Sequence, residues 1–256
     1  MRVICCQLNI AWEDKPANFA AVRRILDGAG VPPGSLVVLP EMFATGFSMN
    51  VASIADGRPS ETEAFMSLLA RERGAYVLGG LVAAASGGKG ANEAVAFSPE
   101  GAVIARYRKI HPFSYAQEDR HYVPGGEVVT FDWRGARVSP FICYDLRFPE
   151  VFRAATRRGA QVLVVIANWP ATRVEHWVTL LRARAIENQA YVAGVNRCGN
   201  DPKLAYPGRS VIVGPWGEVM ADAGDGEGVA WADLDFAALE SYRREFPVLR
   251  DIRYGL

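Results

Sequence analysis

Cys143 is the side chain with the clearest chemical potential in this sequence. It ends a mostly apolar run that begins near residue 137, and a polar, turn-prone stretch follows it. Residues 148–159 then predict a helix with Pro149 in its first turn. A thiol at a bend between strand and helix can contact a substrate and lie near backbone N–H groups that favour negative charge. Because most buried cysteines are inert, this segment alone leaves a nucleophile and a structural cysteine both open.

Two other segments put ionisable side chains at the ends of predicted strands. Residues 35–39 predict a short buried strand that a proline stops, and Glu41 follows it. Residues 102–108 predict a second strand, and Lys109 comes directly after it. Because side chains at the carboxyl ends of strands gather around the binding crevice of α/β proteins, we expect both to approach Cys143. Each residue also has a simpler explanation when it is considered alone. Glu41 could be a charge at a helix N-terminus, and Lys109 could be a solvated cation in a loop.

In this chain order, the three segments resemble the Glu–Lys–Cys motifs of the carbon–nitrogen hydrolase (nitrilase) superfamily. The resemblance extends from residue 3 to the strand near Val229, and it looks closest to the ω-amidase branch. The segments that suggest this branch are Cys143-Tyr-Asp-Leu-Arg-Phe-Pro149, Ala167-Asn-Trp-Pro170 and the run from His176 to Arg197. The resemblance implies one domain over residues 1–256. It also implies an α/β fold, a four-layer αββα sandwich of two mixed sheets.

The resemblance also assigns roles to the three side chains. It implies that Cys143 is the nucleophile, that Glu41 is the general base and that Lys109 is a fixed cation. An ordinary thiol has a pKa of about 8.5, so a base must take its proton at neutral pH. In the family, the lysine stabilises the tetrahedral intermediate together with the backbone N–H of the next residue after the cysteine, here Tyr144.

A second glutamate lies nine residues after the lysine. Amidases of the superfamily carry an additional glutamate in this loop that positions lysine and substrate, and Glu118 matches it. Its neighbour Asp119 is the alternative, and an acidic residue on a solvated loop is a third interpretation.

Two further residues are candidates for substrate contact. Arg147 could pair with a substrate carboxylate or with its acidic neighbours, Asp145 and Glu150. Trp169 follows the buried strand 161–166 and could form a wall of the pocket, although a core tryptophan is equally consistent. A Cys–His hydrolase also stays open, because the chain has three histidines, His111, His121 and His176.

Strand-like segments outnumber helical ones in the rest of the chain. Strands are predicted at 2–8, 35–39, 76–82, 93–97 and 102–108, twice within 128–142, and at 161–166, 190–196, 209–213 and 228–233. Helices are predicted at 16–29, 61–73, 148–159 and 173–189. Helices and strands alternate in the first half of the chain and around Cys143. This pattern indicates a mixed α/β chain with enough strands for two sheets.

Composition excludes several classes of protein. Lys plus Arg and Asp plus Glu both number 28, so no net charge favours nucleic acid or an anionic membrane. No apolar run approaches the ~20 residues of a membrane helix, and Gln7 and Asn9 interrupt the apolar start. The four cysteines lack the spacing of a disulfide framework or a zinc site. Reduced thiols in a cytoplasmic protein are the simplest interpretation.

The resulting expectation is an enzyme that cleaves the terminal carboxamide of a small ω-amide, such as 2-oxoglutaramate or 2-oxosuccinamate. The alternatives are an N-carbamoyl amino acid amidohydrolase or an aliphatic amidase; a true nitrilase and a non-catalytic scaffold fit less well. No metal and no organic cofactor is expected. The resemblance favours a homodimer, to which the apolar segment 242–249 could contribute, although this segment could also pack on its own chain.

Overall fold

The computed structural model describes residues 1–57 and 59–253. Its helices are α1 (Lys15–Ala29), α2 (Val51–Ile54), α3 (Glu61–Arg73), α4 (Glu118–His121), α5 (Pro149–Arg157), α6 (Val174–Asn188) and α7 (Phe236–Glu245). Its strands are β1 (Arg2–Gln7), β2 (Leu36–Val38), β3 (Tyr76–Ala84), β4 (Gly90–Phe97), β5 (Val103–Arg108), β6 (Phe131–Trp133), β7 (Ala136–Ile142), β8 (Val162–Ala167), β9 (Tyr191–Asn196), β10 (Cys198–Asn200), β11 (Ala205–Pro207), β12 (Val211–Val213), β13 (Val219–Asp222) and β14 (Gly228–Asp233).

Twelve of these strands form two six-stranded sheets with the same internal pattern, and β10 and β11 form a separate hairpin. The first has the order β14-β1-β2-β3-β4-β5, and β1, β2 and β3 are parallel to one another. The second has the order β13-β12-β9-β8-β7-β6, and β7, β8 and β9 are parallel. The outer pairs of both sheets are antiparallel. Both sheets are therefore mixed, as the resemblance implied.

Side chains that alternate along each strand bury both faces of the first sheet. In β1, Val3 and Cys5 join the core between the two sheets, whereas Ile4 and Cys6 join the core beneath α1 and α3. Helices α5 and α6 pack on the other side of the second sheet, where Phe152 is fully buried. The layers are thus helix, sheet, sheet and helix, which confirms the predicted αββα sandwich.

The predicted helix ends are formed by local capping. The Ser60 hydroxyl accepts a hydrogen bond from the N–H of Glu63 (3.0 Å) at the start of α3. Gly74 ends the same helix at φ +57°, a left-handed conformation that glycine adopts without a steric penalty. The helix predicted at 61–73 is therefore confirmed at both ends.

The sequence-based prediction missed several elements, namely the short helices α2 and α4, the β10–β11 hairpin and helix α7. The hairpin of β10 and β11 has only three residues in each strand, and Asp201 organises its turn by accepting from the N–H groups of Lys203 and Leu204 (2.7 Å each). Helix α7 begins at Phe236, and the carboxylate of the preceding residue, Asp235, accepts a hydrogen bond from the N–H of Ala238. Within the described part of the chain, none of the helices combines the length and hydropathy needed to cross a membrane.

One glycine has a steric role that bears on the site described below. The chain after β2 continues alongside β3, where the Gly80 N–H donates to the Pro40 carbonyl (3.1 Å) and the Gly80 carbonyl accepts from the Phe43 N–H (3.3 Å). A Cβ atom on Gly80 would lie 2.6 Å from Cα of Glu41 and 2.5 Å from the backbone nitrogen of Met42. Only a residue without a side chain lets the two backbones approach so closely.

We therefore expect Gly80→Ala to destabilise the fold by at least about 1–3 kcal/mol, as overpacking does, and to displace Glu41. Chemical denaturation measures the free energy of unfolding. Gly28→Ala is the matched control, because a Cβ there would meet no heavy atom within 4 Å and the position is helical. It should be neutral or stabilise by less than about 1 kcal/mol. Equal stability of the two variants would contradict the steric argument.

Candidate active site

Glu41 lies just beyond β2, fully buried, with hydrogen-bond donors at both carboxylate oxygens. Oε1 accepts from Nζ of Lys109 (2.9 Å) and from Nδ2 of Asn92 (2.7 Å). Oε2 accepts from the backbone N–H of Asn168 (2.8 Å), and the side-chain amide of Asn168 also reaches the Glu41 carbonyl (2.8 Å). These contacts fix the orientation of the carboxylate from both sheets.

Lys109 follows β5 and lies between two carboxylates. Its Nζ contacts Glu41 and also Glu118, at 2.8 Å from Oε2 and 3.1 Å from Oε1. Burial disfavours the charged ammonium, but the carboxylates of Glu118 and Glu41 outweigh burial and hold the pKa of Lys109 well above its ordinary value. The two carboxylates therefore favour the charged form of the lysine.

Glu118 opens helix α4 and is fully buried. It accepts from the Phe113 N–H (2.6 Å) and from Nδ2 of Asn92 (2.9 Å) as well as from the lysine. Asp119 is exposed on the same turn, and its backbone carbonyl accepts from Lys89. Of the two acidic candidates, the structure brings Glu118 to the lysine.

Cys143 stands at the junction predicted from the sequence. Strand β7 ends at Ile142, and a single 3₁₀ turn over Cys143–Arg147 leads towards α5. Cys143 has φ +47°, a left-handed conformation that costs a residue with a Cβ about 1–3 kcal/mol and that concentrates at functional sites. Its Sγ lies 4.0 Å from the carbonyl oxygen of Asn168.

The surroundings of Cys143 favour the protonated form of its thiol. Burial raises its pKa well above the ordinary value, and the negative charges of Glu41 and Glu118 raise it further, while Lys109 acts in the opposite direction. The largest charge effects on the sulfur thus come from the three side chains predicted to surround it. His111 and His176 contact Asp145 and Arg147 instead. The structure accordingly brings Glu41, Lys109, Cys143 and Glu118 together.

Two asparagines in this cluster were missed by the sequence-based prediction. Asn92, in the middle of β4, donates through Nδ2 to both Glu41 and Glu118. Asn168 follows β8 and contacts Glu41 through backbone and side chain. The only signal in the sequence was a polar residue within or just after an apolar strand. That pattern is common, and without the strand register it points to no particular partner.

Another buried carboxylate, that of Asp145, holds the segments around Lys109 and Cys143. Asp145 accepts from the Tyr107 hydroxyl (2.7 Å), from the N–H (3.0 Å) and Nδ1 (2.8 Å) of His111, and from the Ile142 N–H (3.0 Å). Tyr107 and His111 flank the lysine, and Ile142 and Asp145 flank the cysteine. The aspartate is fully buried, so these four contacts fix the two segments against each other.

This arrangement corrects one of the pairings considered for Arg147. Asp145 is occupied as described, and the Arg147 guanidinium instead contacts Nδ1 of His176 (3.2 Å) and lies 4.9 Å from the centre of the Trp169 ring. Trp169 is almost fully buried, with its Nε1–H donated to the Arg173 carbonyl (2.7 Å). It belongs to the core and also forms part of the pocket wall, so both interpretations of this residue hold.

A cavity of about 370 Å³ opens beside the thiol. Cys143, Tyr144, Arg147 and Trp169 all line it. The remaining lining residues are Trp12, Glu13, Phe47, Ser48, Met49, Asn50, Phe113, Ala116, Asn168, Pro170, Arg173, Asp201, Lys203, Leu204 and Tyr206. Its volume is at the small end of the range for small-molecule sites, which favours a compact substrate.

Comparison with known proteins agrees with this geometry. Residues 2–244 match the sequence model of the family described as carbon–nitrogen hydrolase. The chain belongs to the carbon–nitrogen hydrolase family. This carbon–nitrogen hydrolase is 34% identical to the 2-oxoglutaramate amidase of Bacillus subtilis, over 99% of its own length and 98% of the relative's. It is 39% identical to an omega-amidase of Yersinia enterocolitica, over 98% of its length and 96% of the relative's.

A solved structure is similar over the whole chain. A carbon–nitrogen hydrolase superfamily protein from Xanthomonas campestris, which carries an arsenic adduct in its active site, superimposes with a TM-score of 0.94. It is 32% identical, and the match covers 100% of this chain and 98% of that one. The resemblance noted from the sequence motifs is therefore confirmed at the level of family and fold, and the chain is a hydrolase that acts on carbon–nitrogen bonds.

The role of Asp145 can be tested by removing one of its two acceptor oxygens. In Asp145→Asn, either the His111 pair or the Tyr107–Ile142 pair loses its acceptor, so the cysteine turn and the lysine segment should move apart slightly. We expect kcat for amide hydrolysis to fall about 10-fold, the effect of losing about one charge-assisted hydrogen bond, with KM within about twofold. Steady-state kinetics on the folded variant measures this. Asp119→Asn, on the exposed neighbour of Glu118, is the control and should be silent; matching kinetics in both variants would refute the role.

Proposed function

We propose that this protein is an ω-amidase that hydrolyses the terminal carboxamide of a small dicarboxylate monoamide to the acid and ammonia. The proposed substrates are of the 2-oxoglutaramate or 2-oxosuccinamate type. The observation that carries the proposal is the buried cluster of Glu41, Lys109 and Glu118 beside Cys143. The full-length similarity to enzymes named 2-oxoglutaramate amidase and omega-amidase supports the substrate type.

In the proposed acylation, Cys143 gives its thiol proton to Glu41 as its sulfur attacks the carboxamide carbon. The carbonyl π electrons move to oxygen and form a tetrahedral oxyanion. When the oxyanion collapses, the C–N bond breaks, and the leaving nitrogen takes the proton from Glu41 and departs as ammonia. A thioester on Cys143 remains, and Glu41 is again a carboxylate.

In the proposed deacylation, the same carboxylate works in the same order. Glu41 takes a proton from water as the water oxygen attacks the thioester carbon. The C–S bond then breaks, the sulfur regains a proton from Glu41, and the carboxylic acid leaves. Over the two steps one water molecule is consumed, and Cys143 and Glu41 return to their starting protonation states.

Lys109 and the backbone N–H of Tyr144 are proposed to hold the oxyanion. The raised pKa of Lys109 supports this role, because the ammonium keeps its proton throughout and offers a fixed positive charge. Glu118 is proposed to position Lys109 and the amide. Trp169 is proposed as an apolar wall for the substrate, and Arg147, which lies over its ring, as a substrate contact.

Ammonia release across a panel of amides tests the substrate class. Succinamate and 2-oxo-ω-amides should be hydrolysed with a kcat/KM at least about 10-fold above that of N-carbamoyl amino acids and of simple aliphatic amides. These other substrates represent the alternative activities, which would use the same buried cluster but need a pocket of different shape and charge. Faster hydrolysis of a carbamoyl amino acid would overturn the ω-amidase assignment but leave the proposed chemistry in place.

The two glutamates should differ in what they abolish. Glu41→Gln keeps the size of the side chain but cannot accept a proton, so kcat should fall about 10²–10⁴-fold and no thioester should accumulate. The negative charge of Glu41 raises the pKa of the Cys143 thiol, so this variant should also deprotonate its thiol at a lower pH than the wild type. Absorbance of the thiolate during a pH titration measures the shift.

Glu118→Gln should behave differently, because the base stays in place. It should lose amide hydrolysis more than hydrolysis of activated esters, whose better leaving group depends less on positioning. Mass spectrometry of the protein during turnover would then detect an acyl adduct on Cys143. Wild-type rates in Glu41→Gln, or an identical loss on esters and amides in Glu118→Gln, would contradict the division of roles.

Three broader properties are proposed with the function: a single domain over residues 1–256, a cytoplasmic location and a homodimer. The four cysteines are free, and a reducing compartment would keep them so. Segment 242–249 packs in part on its own chain, since the Tyr242 ring stacks on Trp216 at 3.8 Å, while Phe246 is 56% exposed. Light scattering at micromolar concentration tests the dimer, which a species of about 28 kDa alone would exclude.

A further inference from the structure

The charged side chains that line the cavity differ in how many hydrogen-bond partners the protein already gives them. The two acidic ones already have protein donors. Glu13 accepts from the Ser48 hydroxyl and from the Asn50 amide, and Asp201 accepts from the Tyr206 hydroxyl and from two backbone N–H groups of its own turn. Both carboxylates are therefore already hydrogen-bonded by residues of the pocket wall. The other charged side chains that an anion in the cavity would meet are the cations Arg147, Arg173 and Lys203.

Arg173 is the cation whose surroundings leave it most available. It ends the 3₁₀ turn Ala171–Arg173, and its carbonyl accepts from Nε1 of Trp169 (2.7 Å), so its backbone is fixed. Its guanidinium carbon lies 5.7 Å from the centre of the Phe113 ring. Among residues 1–57 and 59–253, no carboxylate oxygen lies within 4.0 Å of it, whereas other arginines of the chain do form ion pairs.

The other two cations are less suited to the same task. The Arg147 guanidinium is shared between His176 and the face of Trp169, which fixes it against the wall. Lys203 is exposed on the turn between β10 and β11, where water competes for its charge. Arg173 is half-buried and presents a planar fork, which suits bidentate binding of a carboxylate.

We propose that Arg173 binds the carboxylate at the far end of the substrate while the carboxamide lies at Cys143. This proposal rests on the proposed ω-amidase function and extends it, because it names the residue that selects an anionic amide over a neutral one. Phe113 links the two ends of the pocket: its ring lies beneath the Arg173 guanidinium, and its N–H donates to Glu118. Trp169 also lines the cavity and donates its Nε1–H to the Arg173 carbonyl.

The test compares two amides of equal length that differ in one carboxylate, succinamate and butanamide. Arg173→Met should raise KM for succinamate about 10- to 100-fold while kcat/KM for butanamide stays within about twofold. Arg173→Lys should recover part of the lost affinity, since it keeps the charge but not the fork. Arg120→Met, on an exposed arginine outside the cavity lining, is the control and should change neither substrate.

Two kinetic outcomes would overturn the proposal. An equal loss on both amides in Arg173→Met would mean that the arginine only supports the Trp169 turn. A selective loss of succinamate in Arg147→Met but not in Arg173→Met would assign the carboxylate to Arg147.

A binding measurement separates this proposal from the proposed function. Iodoacetamide should alkylate Cys143, and succinate or 2-oxoglutarate should slow that alkylation in the wild type but at least about 10-fold less effectively in Arg173→Met. If the wild-type enzyme hydrolysed no carboxylated amide, the proposed function would fail, yet this selective protection would still support the anion subsite. Equal protection in both proteins would overturn the subsite whatever the enzyme hydrolyses.

Discussion

The rest of the site depends on one buried ammonium group. Lys109 is 1% exposed and lies between Glu41 and Glu118, which are both fully buried. An isolated charge in such a position would cost several kcal/mol, so the cluster is tolerable only if each ionised group finds partners of good geometry. Asn92, Asn168 and the backbone N–H of Phe113 supply further donors. Removing any one partner leaves an uncompensated buried charge, which explains why so many elements converge here.

The same contacts join the two sheets. Glu41 follows a strand of the first sheet and is held by the N–H of Asn168, which follows a strand of the second. In the other direction, Asp145 belongs to the turn after a strand of the second sheet and holds Tyr107 and His111 from the first. Between these two polar bridges, the interface of the sheets is an apolar core. Cys143 lies where both bridges meet, so small shifts between the sheets would act directly on the thiol.

The sequence could predict whatever depends on local pattern and chain order. Apolar runs that end at Glu41 and Cys143, and the strand before Lys109, already mark three strand ends that an α/β fold gathers together. Asn92 could not be found in this way, because its partner is set by the pairing of β4 with β3 and by the course of a distant loop. The partner of Arg147 could not be predicted either, because it has several acidic neighbours in the sequence. Only the three-dimensional structure reveals that Tyr107 and His111 already donate hydrogen bonds to the nearest of them, Asp145. The short β10–β11 hairpin has too few residues for a periodic signal.

The charge balance of the cluster explains why a protonated thiol suits this site. With its carboxylates and ammonium ionised and Cys143 neutral, the group of four carries one net negative charge. In the proposed acylation, proton transfer from Cys143 to Glu41 moves that charge to the sulfur without adding any to the buried site. The proposed oxyanion carries the same single charge, and the raised pKa of Lys109 favours a cation beside it. The raised pKa of the thiol is thus compatible with the proposed mechanism, because in it the site never has to bury a second unbalanced charge.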